Sequence, residues 1–297
     1  MFNLTIVCYV FLAGIGSGAY VIAAVFSVIG RRSTRDSLRE YRIITRGAFW
    51  LGPLLVAFGT VFLVFDLAVP ERAFTIFLTP KLTILGFGAW SLLLFCLLAG
   101  LSLFLHTVER VDVSTLLLRV VEVLTLLAAL AVMIYTGVLV SSIPAVPFLH
   151  TPLVVLLFAV SSLSGGAALI TLYGFFNQQR KSMRYGLRII SRIDLILIAL
   201  ELVVLAALLA QKYLEAGVAR ETVLNVLFGE DLLAFWIGVV VLGILLPVAL
   251  GAISQRTPQP QSAVTWAVSA TALLIGAFAL RYCLITGGLH LPIQVVL

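Results

Sequence analysis

Apolar residues run almost without interruption through stretches near residues 4–29, 47–69, 82–105, 116–140, 152–176, 187–211, 232–253 and 263–285, each bounded by charged residues, Pro or Gly. An α-helix rises 1.5 Å per residue, so every stretch is long enough to cross about 30 Å of hydrocarbon. In lipid each backbone N–H and C=O must find an internal partner. The roughly ten-residue alternation of barrel strands is missing from the chain, which leaves helices. The pattern predicts an all-α integral membrane protein with eight transmembrane helices, in contact with membrane lipid.

Composition agrees. Of 297 residues, 62% are hydrophobic and 11% charged, against about 45–50% and about 25% in soluble domains. The mean hydropathy of +1.18 comes from continuous runs rather than from the single apolar stripe of a soluble helix. The first run has no basic residue before it and exceeds the roughly 7–15 residue core of a signal peptide, so it is expected to remain as the first span. Cys8, Cys96 and Cys283 lie singly in different apolar runs, with no metal or disulfide pattern. A net charge of +6 would suit nucleic acid, but the basic residues sit in short clusters between spans, and nucleic-acid binding is excluded.

Those clusters orient the chain. Arg31, Arg32, Arg35, Arg39, Arg42 and Arg46 follow the first span, and Arg180, Lys181, Arg184 and Arg188 follow the fifth; Arg110 and Arg256 join them on one side. The opposite loops hold Arg72, Lys81, Lys212 and Arg220. By the positive-inside rule the second set, and both termini, lie outside the cytoplasm in an inner (cytoplasmic) membrane. The even span number and a break near the middle suggest two four-helix halves, residues 1–150 and 151–297. An offset of 147 lays Phe11, Ser17 and Gly18 on Phe158, Ser164 and Gly165, and Tyr135 on Tyr282, as a parallel internal repeat would.

Two outer segments hold candidate chemistry. DLAVPERAFTIFLTPK, from Asp66 to Lys81, puts an acid in the last turn of an apolar helix. It reads either as a ligand-facing carboxylate or as a loop whose Pro70 and Pro80 bound helices while Arg72 and Lys81 snorkel. YTGVLVSSIPAVPFLHT, from Tyr135 to Thr151, has no charge, and Pro144 and Pro147 break its helix. Such backbone needs protein or water around it. It forms either a plain turn or a re-entrant one presenting Tyr135, Ser141, Ser142 and His150 to something amphipathic. The small residues of GIGSGAY and of Ser164 to Gly166 suit close helix packing. No strand precedes GIGSGAY, so a dinucleotide loop is dismissed. Arg119, Glu122, Arg192, Asp194 and Glu201 fall inside apolar spans, where a central charge costs about 2.5–3.5 kcal/mol. They must face protein or water. They read either as a proton path or as ion pairs tying the fourth and sixth spans.

FLAGIGSGAY (Phe11 to Tyr20), DLAVPER, Gly86 to Trp90, YTGVLVSSIPAVPF and GAFALRY around Arg281, in this order, resemble the NrfD family, also called the polysulfide-reductase membrane-subunit family. The matches cover most of the sequence. The resemblance implies two four-helix bundles, no haem, no metal in this chain, and a quinone pocket (menaquinone or ubiquinone) near the outer face of the first bundle. Electrons would pass to a ferredoxin-like iron–sulfur subunit, with terminal chemistry in a molybdopterin or cytochrome subunit. His106, His150 and His290 fall at helix ends or in outer segments, which does not suit paired haem ligands between membrane helices. Two positions depart from the family pattern: His150 stands where many relatives have Asn before Thr-Pro, and Tyr9 where some polysulfide reductases carry His.

Quinol oxidation releases two electrons and two protons, so the site needs hydrogen-bond partners and a proton acceptor. Tyr9 and Tyr135 are expected to hold a ring oxygen, with Asp66 or His150 taking a proton and Ser141 nearby. The alternatives are a secondary transporter, which would show substrate flux by itself, and a passive anchor without a quinone site.

Overall fold

The computed structural model describes residues 4–30, 35–66, 83–107, 115–143, 146–176, 184–215, 217–229, 231–256 and 263–288. They form α1 (Leu4–Gly30), α2 (Arg35–Asp66), α3 (Ile84–Thr107), α4 (Thr115–Ser141), α5 (Pro152–Phe176), α6 (Arg184–Leu214), a short α7 (Val218–Phe228), α8 and α9 (Ala263–Thr286). Helix α8 is composite: Ala234–Leu245 winds as a π-helix and Leu246–Arg256 as an α-helix. Eight of these helices are long and apolar enough to span a membrane, as the hydrophobic pattern predicts. The short α7 was not foreseen, and α2 and α6 begin earlier than their apolar runs. The segment DLAVPERAFTIFLTPK lies, beyond Asp66, outside the described residues, as does His290.

Local chemistry sets the ends. Thr83 Oγ1 accepts the Gly86 amide at 3.1 Å and caps α3. Pro152 opens α5, where its missing N–H costs nothing. Gly217 has φ 84, the conformation a side chain resists, and turns the chain from α6 into α7. Inside α8, Pro247 cannot return a hydrogen bond to Gly243, and the wider winding precedes it. The Leu246 amide bonds the Val241 carbonyl five residues back.

The core follows from where small residues let backbones touch. α1 and α5 cross at the centre. A Cβ at Gly18 would collide with the Ser162 carbonyl, one at Gly165 would meet Ile15 at 2.5 Å, and one at Gly166 would strike the Ala19 amide. These contacts are reciprocal under the offset of 147, which exchanges Gly18 with Gly165 and Ile15 with Ser162, and exchanges Ala19 and Gly166 with each other. The neighbours obey it too: α4 packs on α1 and α5, and α9 on α5 and α1. Away from this centre, residues such as Leu97 (62% exposed) and Ile196 (69%) point outward, which suits lipid rather than water.

The link from α4 to α5 is not a loose loop. Val146, Phe148 and Leu149 are fully buried, and the Leu149 amide bonds the Val146 carbonyl at 3.0 Å. Gly288, past α9, packs on Val146. The broken segment is thus tucked into protein, while Tyr135 stays within helix α4.

Candidate functional site: a tyrosine pair and a buried arginine

Tyr9 on α1 and Tyr135 on α4 are buried to 0% and 1% exposure. Each is held by apolar neighbours of one cluster that includes Val7, Val10, Val132 and Phe148. The two phenols are electrostatic neighbours, and neither hydroxyl has a hydrogen-bond partner among the described residues. Gly88 on α3 makes room for the second ring, since a Cβ there would fall within the Tyr135 ring itself. Phe87 meets the same ring edge-on at 6.5 Å. Two phenol hydroxyls with no partner among the described residues thus sit within one apolar cluster, and a phenol O–H is a ready donor to a carbonyl or hydroxyl oxygen.

The other candidates of this region lie toward the α4–α5 link. Ser141 donates to the Val138 carbonyl (3.2 Å) and Ser142 to the Leu139 carbonyl (2.8 Å), so both hydroxyls are engaged by their own helix. His150 is exposed, and its Nδ1 lies 3.0 Å from the Ser141 carbonyl, to which an Nδ1–H would donate. Thr151 donates to Gln211 Oε1 at 3.3 Å, tying the link to the end of α6, where Lys212, 3% exposed, pairs with Glu215 at 2.8 Å. Asp66 is the last residue of α2; its side chain lies outside the described residues.

A second polar place sits where α1, α5, α6 and α9 meet. Arg281 is fully buried. Its Nη1 donates to Ser161 Oγ (3.1 Å) and to the Ala277 carbonyl (2.9 Å), and its Nη2 donates to Ser162 Oγ (2.9 Å). Nε–H finds no acceptor among the described residues. The guanidinium carbon lies over two aromatic rings, 5.9 Å from the centroid of Phe11 and 5.5 Å from that of Phe158. Gly14 leaves the space, for a Cβ there would come within 2.9 Å of Nη2. The Ser161 hydroxyl in turn donates to buried Glu201, which is electrostatically coupled to Arg281. One turn toward the other membrane face, Ser164 donates to Asp194 Oδ1 at 2.7 Å. Serines spaced along one face of α5 thus connect Asp194, Glu201 and Arg281.

The five intramembrane charges therefore separate. Asp194 and Glu201 face the serines of α5. Glu122, partly buried, neighbours Tyr20, whose hydroxyl bonds Thr125 and Ser102. Arg119 and Arg192 are exposed on the helix surface. α5 packs against both α4 and α6, so charges on the two helices belong to different clusters rather than to one ladder. Sequence reasoning left open whether Arg281 pairs with an acid or lines the second bundle, and it gave Gly88, Tyr20 and the serine row no part in the chemistry. The spacing of Ser161 and Ser164, one turn apart and opposite acids two turns apart, was the available signal. Among the described residues no group of His, Cys, Asp and Glu could hold a metal ion.

Comparison with known proteins bears on the whole length of the sequence. It is 28% identical over 300 residues to the C chain of polysulfide reductase from Wolinella succinogenes, covering 95% of this protein and 92% of that one. It is 26% identical over 304 residues to the protein NrfD of Escherichia coli, covering 95% and 93%. With an NrfD homolog of Haemophilus influenzae it shares 24% over 308 residues, covering 97% and 94%. The family profile described as polysulphide reductase, NrfD matches residues 1–292, and the chain therefore belongs to the NrfD polysulphide reductase family of multi-pass membrane proteins.

Proposed function

We propose that this protein is the membrane subunit of a respiratory oxidoreductase complex and passes electrons between the quinone pool and an iron–sulfur partner subunit, in the direction of quinol oxidation. Family membership supports the place in a complex, since one relative is named as the C chain of a reductase. The observation that carries the quinone reading is the tyrosine pair. A buried hydroxyl without a partner costs about 1–3 kcal/mol, and Tyr9 and Tyr135 carry two such hydroxyls within one apolar cluster. A quinol bound there supplies two electrons and two protons. The phenols of Tyr9 and Tyr135 orient a ring oxygen by hydrogen bonds, and the apolar wall around them excludes water. Asp66 and His150, at or near the helix ends of the same rim, are the proton acceptors. Ser141 supports His150 through its carbonyl.

In this reading residues 1–150 and 151–297 are two four-helix halves, the rim of the α4–α5 link faces away from the cytoplasm, and the second half carries protons. Asp194 and Glu201 form the inner part of that route and Arg192, on the same helix, stands at its mouth, while Arg119 and Glu122 on α4 lie apart from it. The decisive experiment is quinol-dependent reduction of the partner subunit in the purified complex. Tyr135→Phe and Asp66→Asn are expected to impair it while the complex still assembles. Wild-type turnover in both would dismiss the site. For the route, membrane potential formed during turnover in vesicles should be lost in Glu201→Gln.

A further inference from the structure

We propose that α7 lies in the headgroup layer of the leaflet at which α6 ends, and that its outward stripe seats zwitterionic phospholipid, with Leu224 and Phe228 under the headgroups and Arg220 at the phosphates. The helix is held at both ends to the last turns of neighbouring spans. At its start the Arg220 guanidinium stands 4.7 Å from the centroid of the Tyr213 ring, and Nη2 donates to the Tyr213 hydroxyl at 3.3 Å. Tyr213 belongs to the final turn of the sixth span, Ile189–Leu214. At its end Trp236 Nε1–H donates to the Leu227 carbonyl at 3.1 Å, and Trp236 lies in the first turn of the seventh span, Ala234–Ile253. Between these tethers the 11 residues of α7 rise about 16 Å. The helix therefore runs across the ends of two spans, at the depth where apolar helix gives way to polar chain.

Its two faces divide accordingly. Ala219, Thr222, Val223 and Val226 are buried, and the helix packs on α6 and α8. Arg220, Glu221, Leu224 and Phe228 are exposed and recur at the three- and four-residue steps of one helix face. This stripe is polar at its start and apolar at its end, where Phe228 is 71% exposed. Apolar exposure continues on either side of the helix, in Leu214 (84%) at the end of α6 and in Leu233 and Ile237 at the start of α8. The stripe is thus continuous with the lipid-facing sides of two spans, and Tyr213 and Trp236 are the amphipathic rings that settle at a membrane boundary. Depth decides between lipid and a water-soluble subunit. Phe228 follows the residue that Trp236 holds, so it stands level with the first turn of a span, where an amphipathic helix buries its apolar side among headgroups and upper acyl chains. Charge decides the kind of lipid. Among the described residues of this rim two cations, Lys212 and Arg220, face three acids, Glu215, Glu221 and Asp231, so nothing selects an anionic headgroup.

The test attaches a small fluorophore to Phe228→Cys, Leu224→Cys and Arg220→Cys in the purified complex, reconstituted in phosphatidylcholine vesicles. The parent protein, labelled in parallel, corrects for Cys8, Cys96 and Cys283. Two quenchers compete: a nitroxide on the upper acyl chain, and iodide in the water. The ratio of nitroxide to iodide quenching is expected to be at least about threefold higher at positions 228 and 224 than at 220, as a helix with its apolar side in the acyl boundary requires. Trp236→Phe keeps an aromatic ring but releases the Leu227 carbonyl. It should raise iodide quenching at 228 by about threefold, the population change that one ordinary hydrogen bond commands. Replacing half of the phosphatidylcholine with phosphatidylglycerol should leave all three ratios unchanged. A label at 228 open to iodide and untouched by the nitroxide would overturn the proposal, because the helix would then stand in water. Shielding from both quenchers would overturn it in favour of a protein partner on this face. Nitroxide quenching that appears only with phosphatidylglycerol would refute the zwitterionic seat.

Discussion

Replacing a buried tyrosine by phenylalanine removes one hydroxyl and little else, so its effect depends on what that hydroxyl touches. At Tyr135 and Tyr9 it touches no polar partner among the described residues. Each hydroxyl carries a desolvation cost of about 1–3 kcal/mol with nothing to offset it in the ligand-free protein. Tyr135→Phe should therefore be as stable as the parent, or more stable by up to ~1 kcal/mol. At Tyr20 the hydroxyl bonds Thr125 and Ser102, so Tyr20→Phe should lose about 1 kcal/mol, with Thr125 keeping its bond to the Val121 carbonyl. Unfolding of the purified complex can be followed through a thiol-reactive dye, since Cys283 is 1% exposed and reports opening of the core. Activity should rank the variants in the opposite sense. A hydrogen bond to a quinol oxygen is worth about 0.5–1.5 kcal/mol, so kcat/KM for quinol should fall roughly threefold to tenfold in Tyr9→Phe and Tyr135→Phe. Destabilisation of Tyr135→Phe equal to that of Tyr20→Phe would mean that its hydroxyl is already satisfied, and the reasoning would fail. Unchanged kcat/KM in both Tyr9→Phe and Tyr135→Phe would refute the site.

Gly88→Ala should cost about 1–3 kcal/mol and reduce quinol activity, because the added methyl displaces the Tyr135 ring. Gly100→Ala, with open space around it, should instead gain about 0.5–1 kcal/mol in the same unfolding assay. Glu215→Ala should destabilise the α6 end more than Lys212→Met does. The acid is 40% exposed but the lysine only 4%, so removing the acid leaves a buried cation, at a cost of ~1–2 kcal/mol after allowance for the exposed partner. A double-mutant cycle on the pair measures this. Gly18→Leu should prevent stable assembly, seen as loss of the complex on detergent extraction, since the new side chain has only the Ser162 backbone to push against.

Most of the fold was legible because lipid imposes a simple rule on sequence: long apolar runs, ends marked by charge or proline. The second and sixth runs understated α2 and α6, whose first turns are polar and lie before the apolar part. The short α7 escaped because its buried face, Ala219, Thr222, Val223 and Val226, is only three turns long and reads as loop beside neighbouring spans. At the site, Tyr135 and Tyr9 stood out by type, but their adjacency comes from helices far apart in sequence. Gly88 carries no chemistry of its own, only room. Arg281 was visible as an intramembrane charge, yet its environment is built by serines of α5 and an acid of α6, and no local spacing connects residues 161, 201 and 281.

In α8, Gly238 and Gly243 both turn toward α9, against Ala279 and Gly276. Five residues apart, they would point about 140° away from each other on an ordinary α-helix; closing the bonds from i to i+5 brings them onto one side. The extra residue between them is therefore slack in the backbone. Deleting any one of Val239 to Leu242 would bring the glycines to a four-residue spacing, let the segment wind normally, and keep the same small-residue seam against α9. A one-residue deletion at this point is expected to preserve the helix contact, whereas the same deletion in α1 or α5 would rotate their glycines out of the central crossing.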